Sequence, residues 1–205
     1  MKRIHLIALS ILAFSSSLYA DRIFSYESEI GTEFQAQTSS GMKMSVSANQ
    51  AVIGKQSLRL EWTKEGGSIT IPVKISTDNQ IIDKKKHVAV FTTWIYQAKA
   101  LENQSLLFEF GNAMDRKAHR SFTYHLGHVG WRTVLYPFNR MKGKHGGNLG
   151  MMRITAPAGK AGEVYLDLTV PAVQFDRRHA TEDESYQFAK DDVHSRNRKG
   201  PPLDL

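Results

Sequence analysis

Polar and apolar residues alternate with a period of two along most of this chain, the spacing of half-buried strands rather than of helices. Residues 57–62 run Ser, Leu, Arg, Leu, Glu, Trp. Residues 68–75 repeat the pattern, with Ile69, Ile71, Val73 and Ile75 on one face. Pro72 lacks a backbone donor, which predicts an edge or a bulge there. Gly66 and Gly67 between the two segments predict a hairpin turn. Residues 87–96 are apolar on both faces, so that strand is expected to be central or to turn one face to a ligand. Residues 163–170 place Val164, Leu166, Leu168 and Val170 inward, with Tyr165 and Asp167 outward. Further strands are predicted over 22–26, 42–47, 104–110, 120–126, 131–136 and 149–155. About ten short strands joined by Gly-, Asn- and Asp-rich turns predict an all-β, two-layer sandwich.

The ends of the chain depart from this pattern. Lys2 and Arg3 precede an apolar run over 4–14, and the small Ala20 closes the segment. This arrangement predicts a signal peptide over 1–20, cleavage before Asp21, and a secreted product in the periplasm or outside the cell. The run is too short for a membrane anchor, and no later stretch is long and apolar enough to span a bilayer. Residues 21–175 suffice for one well-cored domain. From 176 to 205 the chain becomes highly charged and ends in Pro201 and Pro202, as a linker-like tail would. The chain has no cysteine, so the core must be held by apolar burial.

Charge changes the picture further. The chain carries a net charge of +7. Much of it falls in 113–145, where Asp115 stands against Arg116, Lys117, Arg120, Arg132, Arg140, Lys142 and Lys144. Such a segment attracts polyanions, although a solvated basic face without a partner has the same composition. Trp94, Tyr96 and Trp131 are candidate platforms for sugar rings, whereas Trp62 reads as core. Trp131 beside Arg132 would suit a sulfated or carboxylated sugar, the ring packing on C–H faces and the guanidinium pairing the anion. Trp131 also reads as a core anchor at a strand start.

Catalytic signatures are missing from the sequence: it has no Gly-x-Ser-x-Gly, no phosphate-binding glycine loop and no His-Glu-x-x-His. His125 and His128, three apart, fall on opposite faces of a strand and would not share a metal. A Tyr124–His125 acid–base pair is within reach, but nothing marks it out.

Five ordered segments resemble a known family: Gly54-Lys55-Gln56-Ser57-Leu58-Arg59-Leu60-Glu61-Trp62, Phe91-Thr92-Thr93-Trp94-Ile95-Tyr96, Gly130-Trp131-Arg132-Thr133-Val134, Arg153-Ile154-Thr155-Ala156-Pro157 and Gly162-Glu163-Val164-Tyr165-Leu166-Asp167. Together they resemble the N-terminal, non-catalytic domain of bacterial chondroitin sulfate ABC lyases. The resemblance implies a jelly roll of the carbohydrate-binding-module kind, which helps a large polysaccharide lyase hold glycosaminoglycan. It also implies that the catalytic residues lie in a later helical domain. Related jelly rolls hold a structural calcium ion; Glu27 and Asp167 occupy the matching places and would be its ligands.

The function expected is carbohydrate binding without catalysis, with acidic polysaccharide such as chondroitin or dermatan sulfate as partner. Arg116, Lys117, Arg120, Arg132, Arg140, Lys142 and Lys144 would supply charge, and Trp94, Tyr96 and Trp131 the platforms. The alternatives are one chain of a split polysaccharide lyase, working with a separate catalytic domain, and a structural module docking an acidic protein. Nucleic acid is a poor fit to an exported chain.

Overall fold

The computed structural model describes residues 24, 26, 27, 36–76, 87–112, 118–143 and 148–176. The signal expected over 1–20 lies outside them, as does the tail beyond Asp176. The described strands are β1 (Gln37–Thr38), β2 (Met42–Ser47), β3 (Ser57–Trp62), β4 (Gly67–Ser76), β5 (His87–Gln97), β6 (Ser105–Gly111), β7 (Ala118–His125), β8 (Gly130–Pro137), β9 (Lys142–Gly143), β10 (Asn148–Ala156) and β11 (Gly162–Asp176). A 3-10 turn, Phe138–Arg140, links β8 to β9. Among the described residues, no helix is long and apolar enough to cross a membrane.

Two antiparallel sheets form a sandwich of the expected jelly-roll kind. One has the order β1-β4-β10-β6-β7-β9, the other β2-β3-β11-β5-β8. Their inner faces meet through aromatic rings. Phe91 of β5 lies 5.4 Å from Phe108 and 5.2 Å from Phe110, both on β6, and Phe108 stacks on Phe122 of β7 at 4.9 Å. Leu58, Leu60, Ile69, Ile71, Ile95, Ile154, Val164 and Leu166 complete a core closed to solvent. Each such side chain contributes about 1.5–3 kcal/mol, which is how a cysteine-free domain of this size holds together.

Most strands lie where alternation puts them, but their partners differ from expectation in two places. The first is the hairpin expected at Gly66 and Gly67. Strand β3 pairs with β2 and β11, whereas β4 pairs with β1 and β10, so the turn carries the chain from one sheet to the other. Leu58, Leu60 and Trp62 face Ile69, Ile71, Val73 and Ile75 across the core rather than beside them. Alternation reports one buried face per strand and is silent on which sheet a strand joins.

The second difference lies in β11. The register with β5 shifts between Asp167 and Val170, and Leu168 adopts a positive φ of 46°. This bulge turns Thr169 inward, where its hydroxyl meets Thr93 Oγ1 at 2.7 Å and accepts from the Tyr26 hydroxyl at 2.9 Å. Leu168, expected inward, packs instead with residues of the sheet's outer face. Pro72 behaves as expected: β1 covers β4 only at Ile69 and Thr70, and the β4–β10 register shifts between Leu149 and Met151, the partner of Pro72.

Candidate functional site

The outer face of the five-stranded sheet carries the most concentrated chemistry in the described chain. Strand registers place Ser45, Arg59, Tyr165, Tyr96 and Trp131 in one row that crosses all five strands. Trp94 stands in the next row, between Asp167 and Thr133. Tyr96 is 5.4 Å from Trp131 and 5.9 Å from Tyr165, ring centre to ring centre. Trp131 and Tyr165 are only 2% and 5% exposed, whereas Trp94 and Tyr96 are half-buried and reach solvent. The buried pair thus flanks Tyr96 on the two neighbouring strands.

Arg59 ends the aromatic row. Its guanidinium lies 5.9 Å from the centre of the Tyr165 ring and donates to Glu163 from Nε at 3.0 Å and from Nη2 at 2.6 Å. Glu61 lies 3.0 Å from the same Nη2. The hydrogen bond to Glu163 is the main reason its proton is held more tightly than usual. The glutamates are cross-strand partners, so Arg59 relieves their mutual repulsion. These groups are partly exposed, and such a pair is worth about 1 kcal/mol or less, so a ligand anion can compete for it.

A loop before β3 folds onto this face. Val52 and Ile53 join Trp94, Tyr96, Trp131, Tyr165 and Leu168 in an apolar cluster separate from the main core. Asp167, fully buried, anchors one end of the loop: its Oδ2 accepts from Val52 N at 2.7 Å and Ile53 N at 3.2 Å, and its Oδ1 from Leu168 N at 2.7 Å. Burial raises the pKa of this carboxyl, and the three amides oppose the rise. Glu27 anchors the other end, accepting from Lys55 N at 3.0 Å and Gln56 N at 3.1 Å. Gly54 sits between them with φ of 73°, and a Cβ there would overlap the Glu27 carboxylate. The positive φ favours glycine at position 54, and a side chain there would have to displace the Glu27 carboxylate from the loop amides.

The calcium expectation falls on Glu27 and Asp167, and the structure does bring both to one loop. What faces them is a set of amide N–H groups, which cannot ligate a cation. Calcium takes six to eight oxygens. Among the described residues, no cluster of three or more His, Asp or Glu side chains could hold a metal ion. In this arrangement the two carboxylates hold the loop by hydrogen bonds.

Of the basic residues singled out in the sequence, the described ones, Arg120, Arg132, Arg140 and Lys142, do not gather here. Arg120 is 6% exposed; its Nη1 donates to the Phe138 carbonyl at 2.6 Å and its guanidinium lies 5.8 Å from the Phe138 ring. It is a buried strut, not a surface charge. Arg132 follows Trp131 on β8 and so points to the opposite side, where it acts electrostatically on Tyr124 and His128. The paired Trp131–Arg132 platform therefore does not form. Arg140 and Lys142 are exposed around the end of the 3-10 turn and on β9, part of the other sheet. Arg116, Lys117 and Lys144 lie outside the described residues.

Tyr124 is paired by the fold with His128, not with His125. His125 is exposed and its Nδ1 meets Ser105 Oγ at 2.8 Å. His128 is buried against the Tyr124 ring, with its ring nitrogens 3.4 and 3.5 Å from the hydroxyl. Burial, with Arg132 nearby, pushes the pKa of His128 down to about 4, partly offset by a hydrogen bond to the Ile95 backbone. Burial raises that of Tyr124. Both groups stay neutral near pH 7. Arg59 and Tyr165 were not among the residues expected at the site, although alternation puts both on the outward face of their strands.

Comparison with known proteins agrees with this architecture. A family model described as "Lyase, N terminal" matches residues 20–188. Chondroitin sulfate ABC exolyase of Proteus vulgaris is 29% identical over 178 residues, a match covering 84% of this chain and 17% of that protein. Among solved structures, the family 30 carbohydrate-binding module of a cellulosomal cellulase from Clostridium thermocellum superimposes with a TM-score of 0.52 at 10% identity, covering 70% of this chain and 91% of the module. A family 11 carbohydrate-binding module from the same organism gives a TM-score of 0.43 at 12% identity, covering 67% of this chain and 85% of the module. The module of family 30 shares the fold, and the match over residues 20–188 shows that this chain belongs to the lyase N-terminal domain family.

Proposed function

We propose that this domain binds acidic polysaccharide of the glycosaminoglycan class, such as chondroitin or dermatan sulfate, and takes no part in cleaving it. The row Tyr165, Tyr96 and Trp131, with Trp94 alongside and Arg59 at its end, is the observation that supports this reading most directly. Aromatic rings pack on the C–H faces of sugars, and a guanidinium pairs with a carboxylate or sulfate in a forked geometry. Trp94 and Tyr96 would make the ring contacts, since they reach solvent. Arg59 would exchange a glutamate for a ligand anion. The relative from Proteus vulgaris bears the name of a chondroitin sulfate lyase, which favours this sugar class for the ligand. Export along the predicted signal would bring the domain to such polymers outside the cell.

Retention on immobilised chondroitin sulfate at low and moderate salt tests the reading. Retention should weaken as salt rises, because the Debye length shortens from about 30 Å at 0.01 M to about 8 Å at 0.15 M. It should be lost in a Trp94→Ala/Tyr96→Ala double variant. No retention at low salt, or full retention by the double variant, would sink the idea. Ultraviolet absorbance from unsaturated products, followed in the same samples, tests the split-lyase reading: its appearance would assign catalysis to this chain.

A further inference from the structure

We infer that Glu27 and Asp167 are positioning residues for the aromatic face, acting through the backbone amides of residues 52–56 to fix Val52 and Ile53 against the rings. The inference rests on the carbohydrate-binding reading above and says what sets the shape of that site. The two carboxylates come from opposite ends of the described chain: Asp167 lies 115 positions after Val52, and Glu27 lies 28 before Lys55. Between them they accept from the N–H groups of Val52, Ile53, Lys55 and Gln56, four donors in a stretch of five residues. Ser57 Oγ donates to the Gln50 carbonyl and ties the loop at its base. The loop's apolar residues have one place to go once these amides are held: Val52 is buried in the outer cluster and Ile53 packs against it.

The chemistry of the clamp is specific to carboxylates. An ionised carboxylate only accepts, so it can serve several amides at once, and hydrogen bonds to it are stronger than neutral ones. A carboxamide of the same shape offers one oxygen and one NH2 group, so at Asp167 either the two loop amides of Val52 and Ile53 or the amide of Leu168 would face another donor. The buried Asp167 is the more sensitive of the two, because an amide left there without an acceptor has no water to turn to. Movement of the loop would then move Ile53 and Val52 relative to Trp94 and Tyr96, while the sheet beneath stays paired.

The test uses the full chain with Asp167→Asn, Glu27→Gln and Ile53→Ala, each in EDTA and again in calcium. Far-ultraviolet circular dichroism, tryptophan emission and retention on chondroitin sulfate are measured for all. The expected result is an unchanged β spectrum, shifted tryptophan emission in the two clamp variants, and binding weakened about tenfold, the loss expected from one charge-assisted hydrogen bond. Ile53→Ala should weaken binding with little change in melting temperature, which a merely structural loop would not do. Emission and affinity should be the same in EDTA and calcium. Should Asp167→Asn fail to fold, Glu27→Gln and Ile53→Ala decide, since neither empties a buried polar site. Folded variants with wild-type emission and affinity would overturn the inference. So would a wild-type chain whose emission changes in EDTA and recovers in calcium, because an ion would then hold the loop. If the wild-type chain retains no chondroitin sulfate, the proposed function fails, and the emission spectra alone decide the clamp.

Discussion

Replacing Arg120 with alanine separates two roles that its sequence position confounds, since it sits in the most basic stretch of the chain yet points into the sandwich. The substitution removes the donor to the Phe138 carbonyl and the guanidinium 5.8 Å from the Phe138 ring. A hydrogen bond made by a charged group is worth about 1.5–3 kcal/mol. A partly desolvated cation–π contact adds about 0.5–2 kcal/mol. Since the two share one group and are not independent, about 3 kcal/mol is a reasonable joint loss. For a domain of this size 1 kcal/mol moves the melting temperature by about 2–4 °C, so the variant should melt about 6–12 °C below the wild type. Thermal unfolding followed by circular dichroism gives that number. Chondroitin sulfate retention, measured well below the melting point, should be unchanged. A variant that melts like the wild type but binds glycan more weakly would show that Arg120 works as a surface charge and not as a strut.

Three more outcomes follow from the geometry. His128 is held neutral with a pKa of about 4 against an unfolded value near 6.5, so its contribution is complete above pH 6.5 and is lost as pH falls towards 4, an effect on the order of 3 kcal/mol; melting temperature against pH should fall more gently in His128→Phe. Gly54→Ala forces a positive-φ residue and a Cβ onto the Glu27 carboxylate, costing about 1–3 kcal/mol, which urea unfolding would register as a lower midpoint at unchanged slope. Trp131→Ala should lose about 3–5 kcal/mol of stability, whereas Trp94→Ala, half-exposed, should lose far less; equal losses in chemical denaturation would contradict the division into buried support and accessible ring.

The strands were legible because each buries one face. Ser57–Trp62 and Gly67–Ser76 announce themselves by alternation, and Gly162–Asp176 does so until its bulge. The partners were less legible. Pairing is a property of two segments, and the Gly66 turn serves a crossing between sheets as readily as a hairpin. The two-residue strands β1 and β9 are too short for any period to show. Leu168 escaped because a bulge resets the alternation, and the positive φ that makes it is carried by a leucine rather than by the usual glycine.

At the site, composition pointed to the segment 113–145, whereas the fold distributes that segment over both layers. Arg120 and Arg132 turn towards the interior side, and Lys142 lies on the edge strand of the other sheet. Net charge along a sequence does not distinguish a strut from a contact, because the alternation that sends Trp131 outward sends Arg132 the other way. Trp94 and Tyr96 were identified because their strand is apolar on both faces. Arg59 and Tyr165 needed the register between β3, β11 and β5 before their place in the row emerged.

The position of β11 governs when this domain can fold. It is the last strand described, yet it lies in the middle of its sheet, between β3 and β5. Until residues 162–176 have been made, β2–β3 and β5–β8 are two separate ribbons, each with an apolar face and an unpaired edge. A two-stranded ribbon is marginal in water. Pairing across this sheet therefore waits for residues 162–176 and then closes loops of about a hundred residues between β3 and β11, the kind of long-range pairing that makes β-rich topologies slow. During that interval the edges of β3 and β5 are open to other chains, so folding yield should depend on concentration more steeply than native stability does.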